Sequence, residues 1–124
     1  VLLRLFSTSK VSSLPPCIVV AVLNTNRTRD FTPTCSAAGV TELSVRAINR
    51  KGGGAGQFCR FLTEELRLAV EQDLPVNGQH LLAGHSYAGL FTLHVLLNYP
   101  GAFDTYIVID PQFYGGIKDI FRNR

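Results

Sequence analysis

Methionine and tryptophan are both missing from the 124 residues, and the first residue is valine. The opening run from Val1 to Phe6 is short and carries Arg4, so it has no secretory-leader layout, and the sequence reads as a piece of a longer protein. Long hydrophobic runs are missing too. The longest, from Cys17 to Leu23, falls far short of the ~20 residues a membrane helix needs, so no membrane partner is expected. Charge is thin: 17% of residues are charged, the net is +3, and the nearest thing to a basic cluster is Arg46, Arg50 and Lys51. That is too sparse for a nucleic-acid footprint. Cysteine is scarce and odd in number. Cys17, Cys35 and Cys59 form no CxxC element, so neither a zinc site nor a disulfide framework is indicated, and reduced thiols lean towards a cytoplasmic setting. What remains is a chain that is 46% hydrophobic, enough to bury a core over one domain's length.

Residues 1–14 read as the frayed end of a helix followed by a Ser-rich loop, stopped at Pro15-Pro16. Residues 17–23 form a continuous, largely β-branched run, which suits a strand buried on both faces. Residues 24–33 are polar and rich in turn formers, predicting a loop at that strand's C-terminal end. Residues 34–51 carry no clear period. Gly52-Gly53-Gly54 then breaks the chain before a helix over 57–72, whose apolar face is Phe58, Phe61, Leu62, Leu66, Ala69 and Val70, with Arg60, Glu64, Arg67 and Glu71 opposite. A short strand over 80–84 follows, then an almost wholly apolar and therefore buried helix over 88–98, then a strand over 105–110. Alternating strands and helices predict an α/β fold: adjacent parallel strands at 18–23, 81–83 and 106–109, with helices 57–72 and 88–98 on opposite faces.

The chemistry is concentrated at 83–89, Ala-Gly-His-Ser-Tyr-Ala-Gly. A serine at a strand-to-helix junction, with small residues two before (Gly84) and two after (Ala88), matches a nucleophile elbow. The turn forces strained φ/ψ on the serine, and the chain on either side packs too closely for side chains. Ser86 would then stand at a helix N-terminus, where the Tyr87 N–H is the first donor towards an oxyanion. The competing reading is an ordinary buried turn serine. A serine also needs a base within ~3 Å. His85 is adjacent and points away, His94 lies about 12 Å down the helix, and His80 is at the far end of the strand, so packing or surface roles fit all three.

Four stretches taken together, 15–33 (PPCIVVAVLNTNRTRDFTP), 53–62 (GGAGQFCRFL), 83–91 (AGHSYAGLF) and 107–111 (IVIDP), resemble the family named Putative esterase. Its best-known members are esterase D (S-formylglutathione hydrolase) and the enterochelin esterases. The resemblance spans roughly residues 2–115 in order. It implies a partial α/β-hydrolase core, three parallel strands with helices on both faces, and hydrolysis of a small-molecule carboxylic ester or thioester through a Ser86 acyl-enzyme, with no cofactor or metal. It further implies that the strand bearing the first oxyanion-hole loop lies before residue 1 and the acid and histidine beyond residue 124. The domain would then be incomplete within 1–124.

Within the chain, Asp110 is the candidate orienting acid, since some lipase-like α/β-hydrolases place it after that strand, whereas this family's usual position is later. Otherwise it caps the following turn. Arg27 and Arg29, in a loop outside a strand's carboxyl end, are candidates for contact with an acidic substrate, against a structural pairing with Asp30. Phe113 and Tyr114 are candidates for lining an acyl pocket, against ordinary packing. The glycines at 52–56 lack a following GK[ST] or a GxGxxG after a strand, so they read as a connector opening a helix rather than a phosphate loop. The alternative to an esterase is a hydrolase-like, non-catalytic binding or interaction module. Oligomeric state and ester specificity are not legible.

Overall fold

A computed structural model of the chain describes residues 4–7 (as backbone), 15–23, 26–33 and 52–113. The readings of 34–51 as irregular and of Tyr114 as a pocket residue lie outside them. In chain order the elements are β1 (Arg4–Ser7), β2 (Ile18–Ala21), α1 (Arg27–Phe31), a long helix α2 (55–73), β3 (Leu81–His85), α3 (Tyr87–Asn98) and β4 (Thr105–Ile109).

The centre is a β3–α3–β4 unit. β3 and β4 pair in parallel, from Leu81 opposite Thr105 to His85 opposite Ile109. The helix between them crosses over one face, as a parallel connection requires. Alternation along both strands turns Leu82 and Tyr106 towards the helices and leaves Leu81, Ile107 and Ile109 exposed. The core is small: Ala55, Cys59 and Leu62 of α2 meet Phe91 and Val95 of α3. The α/β class expected from the alternating pattern is present.

Three expectations about its parts are corrected. The opening segment is no helix end, because Arg4–Ser7 forms a strand antiparallel to β2. β2 accordingly pairs with β1 and, among the described residues, not with β3 or β4. Nor is it buried on both faces, since Ile18 and Val19 are exposed. A β-branched run signals a strand and says nothing of its neighbours. Finally, α2 and α3 do not cover opposite faces. They share one core. Opposite faces would follow from one sheet running through β2, β3 and β4 with a reversal of direction, and among the described residues β2 does not pair with β3 or β4.

Residues 26–33 also hold more order than a loop. The Asn26 side chain caps α1 by accepting from Arg29 N–H at 3.1 Å. Phe31 then packs between Phe58 and Phe91, with ring centroids 5.6 and 5.8 Å away. The glycine connector fits against the end of this turn. Gly53 N–H and Gly54 N–H donate to Thr32 O and Arg29 O at 3.0 and 2.8 Å. A Cβ on Gly54 would come within 2.9 Å of Arg29 backbone and side-chain atoms.

α2 changes character midway. Segments Ala55–Arg60 and Arg67–Asp73 are α-helical, but Phe61–Leu66 winds as a π-helix, with Arg67 N–H bonded to Leu62 O. One wide turn shifts the following side chains by about one residue, roughly 100°. Arg67, expected on the solvent face, instead lies over the Phe103 ring at 5.0 Å and donates to Ala102 O, while Ala69, expected inside, is exposed. Arg60 and Glu64, on the solvent face, form the outward i,i+4 pair at 3.2 Å that the pattern predicts.

Candidate active site at the turn between β3 and α3

Ser86 occupies the one-residue turn between β3 and α3 with φ 59° and ψ −116°. A non-glycine residue in that region is strained and persists only where its surroundings over-determine it. They do so here. An added Cβ at Gly84 would lie 2.1 Å from Ala88 O and 2.5 Å from Thr92 Oγ1, so no side chain fits two residues before the serine. At Gly89 it would lie 2.8 Å from Ile109 O and 3.2 Å from Pro111 Cα. Ser86 N–H donates to Ile109 O at 3.0 Å, and Ser86 O accepts from Leu90 N–H at 3.0 Å and Gln112 N–H at 3.1 Å. The serine's backbone is thus held by β4 and its exit as well as by its own helix. Tyr87 N–H is the first amide of α3, the end of the helix that favours negative charge.

The expectation of close packing around Ser86 is met at Gly84. Gly89 was missed as a site residue. The signal was a glycine one place beyond the last position of the GxSxG pattern, where Ala88 stands. Gln112 was missed for a better reason: only the turn after β4 brings its amide to Ser86.

His94 is buried in α3, its Nδ1 3.0 Å from Asn98 Nδ2, and burial pushes its pKa below the usual 6.5, so the ring is neutral. His80 precedes β3, with ring Nε2 2.7 Å from Glu71 Oε1 and its backbone N–H donating to Asp104 Oδ2 at 2.7 Å, at the other end of the strand from Ser86. His85 is exposed at the end of β3.

Of the other candidates, Asp110 lies at the C-terminal end of β4 with an exposed side chain and φ 40°. Arg29 donates to the buried Asp30 at 2.5 Å, a contact that holds the guanidinium firmly protonated, and this is the structural pairing weighed above. Arg27 is exposed on α1 and Phe113 is exposed beyond β4. Burial pushes the Cys59 thiol pKa up, away from reactivity, in the core between α2 and α3.

Comparison with known proteins shows what the chain resembles. The model of a family described as "Putative esterase" matches residues 9–112. The ferri-bacillibactin esterase BesA of Bacillus subtilis is 33% identical over 107 residues, covering 80% of this chain and 37% of that protein. A siderophore enterobactin esterase of Emericella nidulans is also 33% identical, covering 83% and 35%. Among solved structures, an IroE-like serine hydrolase from Shewanella oneidensis is similar with a TM-score of 0.69 and 35% identity over 78% of this chain and 31% of that one. The BES protein of Bacillus cereus gives 0.70 and 30%, over 86% and 43%. The chain spans about a third of the length of the curated relatives it matches.

Proposed function

From the premise that this chain belongs to the Putative esterase family, we propose that it carries the nucleophile portion of a serine ester hydrolase whose substrate is a siderophore ester. The observation that carries the reading is Ser86 at positive φ on a strand-to-helix turn where Gly84 and Gly89 admit no side chain. In this mechanism a general base takes the Ser86 hydroxyl proton as Oγ attacks the ester carbonyl. Tyr87 N–H donates to the oxyanion as it forms. The alcohol leaves with the proton, and water then hydrolyses the acyl-enzyme in the reverse sense. The triad acid and histidine, and the loop supplying a second oxyanion donor, lie outside residues 1–124 in this reading. The short span relative to the curated relatives supports that placement. The siderophore assignment rests on the names of those relatives. Ester hydrolysis in general rests on the elbow.

The test assays the full-length protein on short-chain p-nitrophenyl esters and on a cyclic catecholate trilactone, each beside Ser86→Ala. Loss of the nucleophile is expected to lower kcat by 10³-fold or more. Folded wild-type protein with no more turnover than Ser86→Ala would replace the esterase reading with the non-catalytic module.

A further inference from the structure

The turn after β4 holds Ser86 from outside its own helix, and Asp110 shapes that turn. Asp110 has φ 40°, in the left-handed region, directly before Pro111. A following proline favours extended backbone in the residue before it, and an L-residue avoids positive φ, so this conformation is disfavoured twice. Aspartate is among the few side chains that tolerate it. The consequence is geometric. Ile109 O stays in line to accept from Ser86 N–H, and within three residues the chain doubles back so that Gln112 N–H reaches Ser86 O. Both backbone polar groups of the strained serine are thereby tied to a segment of four residues. Gly89 closes the arrangement, since only a residue without Cβ lets α3 lie against Ile109 O and Pro111 Cα.

We infer that Asp110 is a positioning residue: through its left-handed backbone it clamps the elbow and sets where Ser86 Oγ points. The inference rests on the reading of Ser86 as the nucleophile. It assigns Asp110 a role that its carboxylate does not perform, which separates it from an orienting acid. A nucleophile misplaced by about an ångström loses on the order of 10² in rate with little change in binding.

The experiment compares Asp110→Gly, Asp110→Asn and Asp110→Val in the full-length protein. Glycine and asparagine accept positive φ and are expected to keep kcat within about threefold. Valine is β-branched and opposes it, and is expected to lower kcat about 10²-fold with KM nearly unchanged. If glycine and asparagine instead lose about 10⁴-fold, the carboxylate itself acts and the inference fails, while the esterase reading stands. If all three match the wild type, the clamp does not govern Ser86 and the inference fails again. Amide hydrogen exchange makes the test independent of turnover, so that failure of the esterase reading is told apart. Valine is expected to speed exchange at Ser86 and Gln112 at least tenfold with Val95 in α3 unchanged, and glycine to speed neither. Equal exchange at Ser86 and Gln112 in both variants overturns the inference. Should the valine variant not fold, Asp110→Ala, strained at the same φ without branching, takes its place with the same expected direction.

Discussion

At Gly84 one methyl group decides whether the turn can form. Its Cβ would meet Ala88 O at 2.1 Å, and the obstacle is backbone, which cannot swing away. Gly84→Ala is therefore expected to destabilise the fold by about 1–3 kcal/mol and to reset the Ser86 turn. Gly89→Ala, with its nearest contact at 2.8 Å, should do the same more mildly. Urea denaturation of both variants checks the order, and equal midpoints would show that the elbow is not sterically defined. His94 contributes differently. Buried beside Asn98 with its pKa depressed, it stays neutral in the fold and is protonated more readily in the unfolded chain. Its contribution is fully present above pH 6.5, the ordinary value, and is lost as pH falls below that towards the folded pKa. One proton taken up on unfolding sets a limit of about 1.4 kcal/mol per pH unit. Thermal midpoints of wild type and His94→Gln between pH 8 and pH 5 should converge on acidification. Parallel curves would mean that His94 is not the group responsible.

Arg67 shows how an element's winding redirects a side chain. The π turn swings it from the solvent face onto Phe103 and Ala102, where it joins α2 to the link leading into β4. Arg67→Ala is expected to cost about 1–3 kcal/mol, the range of a partly desolvated cation–π contact with a charged hydrogen bond. Arg60→Ala, which breaks only the exposed pair with Glu64, should leave stability nearly unchanged. The two substitutions are chemically identical, so chevron or equilibrium unfolding reads the difference in setting alone. From sequence the two arginines were indistinguishable, because helical periodicity assumes 3.6 residues per turn and no residue in 61–66 announces a wider one. Elements whose signal is local were legible: the elbow from small residues around Ser86, β3 and β4 from short apolar runs, α3 from its unbroken apolarity. Those set by pairing were not. The strand at Arg4–Ser7 exists through its register with Ile18–Ala21, and α1 through Asn26 and the docking of Phe31 on two distant rings.

For the molecule as a whole, the two faces of the β3–β4 sheet have opposite situations. One is covered by α3. On the other, Leu81, Ile107 and Ile109 are 53, 43 and 50% exposed. Paired strands with an uncovered apolar face are marginal alone and tend to associate. If residues beyond 1–124 complete the domain, as proposed, they bury this face, and one substitution should then act with opposite sign in two settings. Ile107→Lys in the 124-residue chain places a charge in the middle of the exposed patch, and is expected to reduce self-association in sedimentation velocity or light scattering. In the full-length protein the same lysine would be forced into a covered apolar layer, where an unpaired charge is costly, and the thermal midpoint should fall by several degrees. A fall in both settings would mean that Ile107 is already packed in the isolated chain. No fall in the full-length protein would mean that the face stays open there, and that the additional chain completes the hydrolase somewhere other than on this side of the sheet.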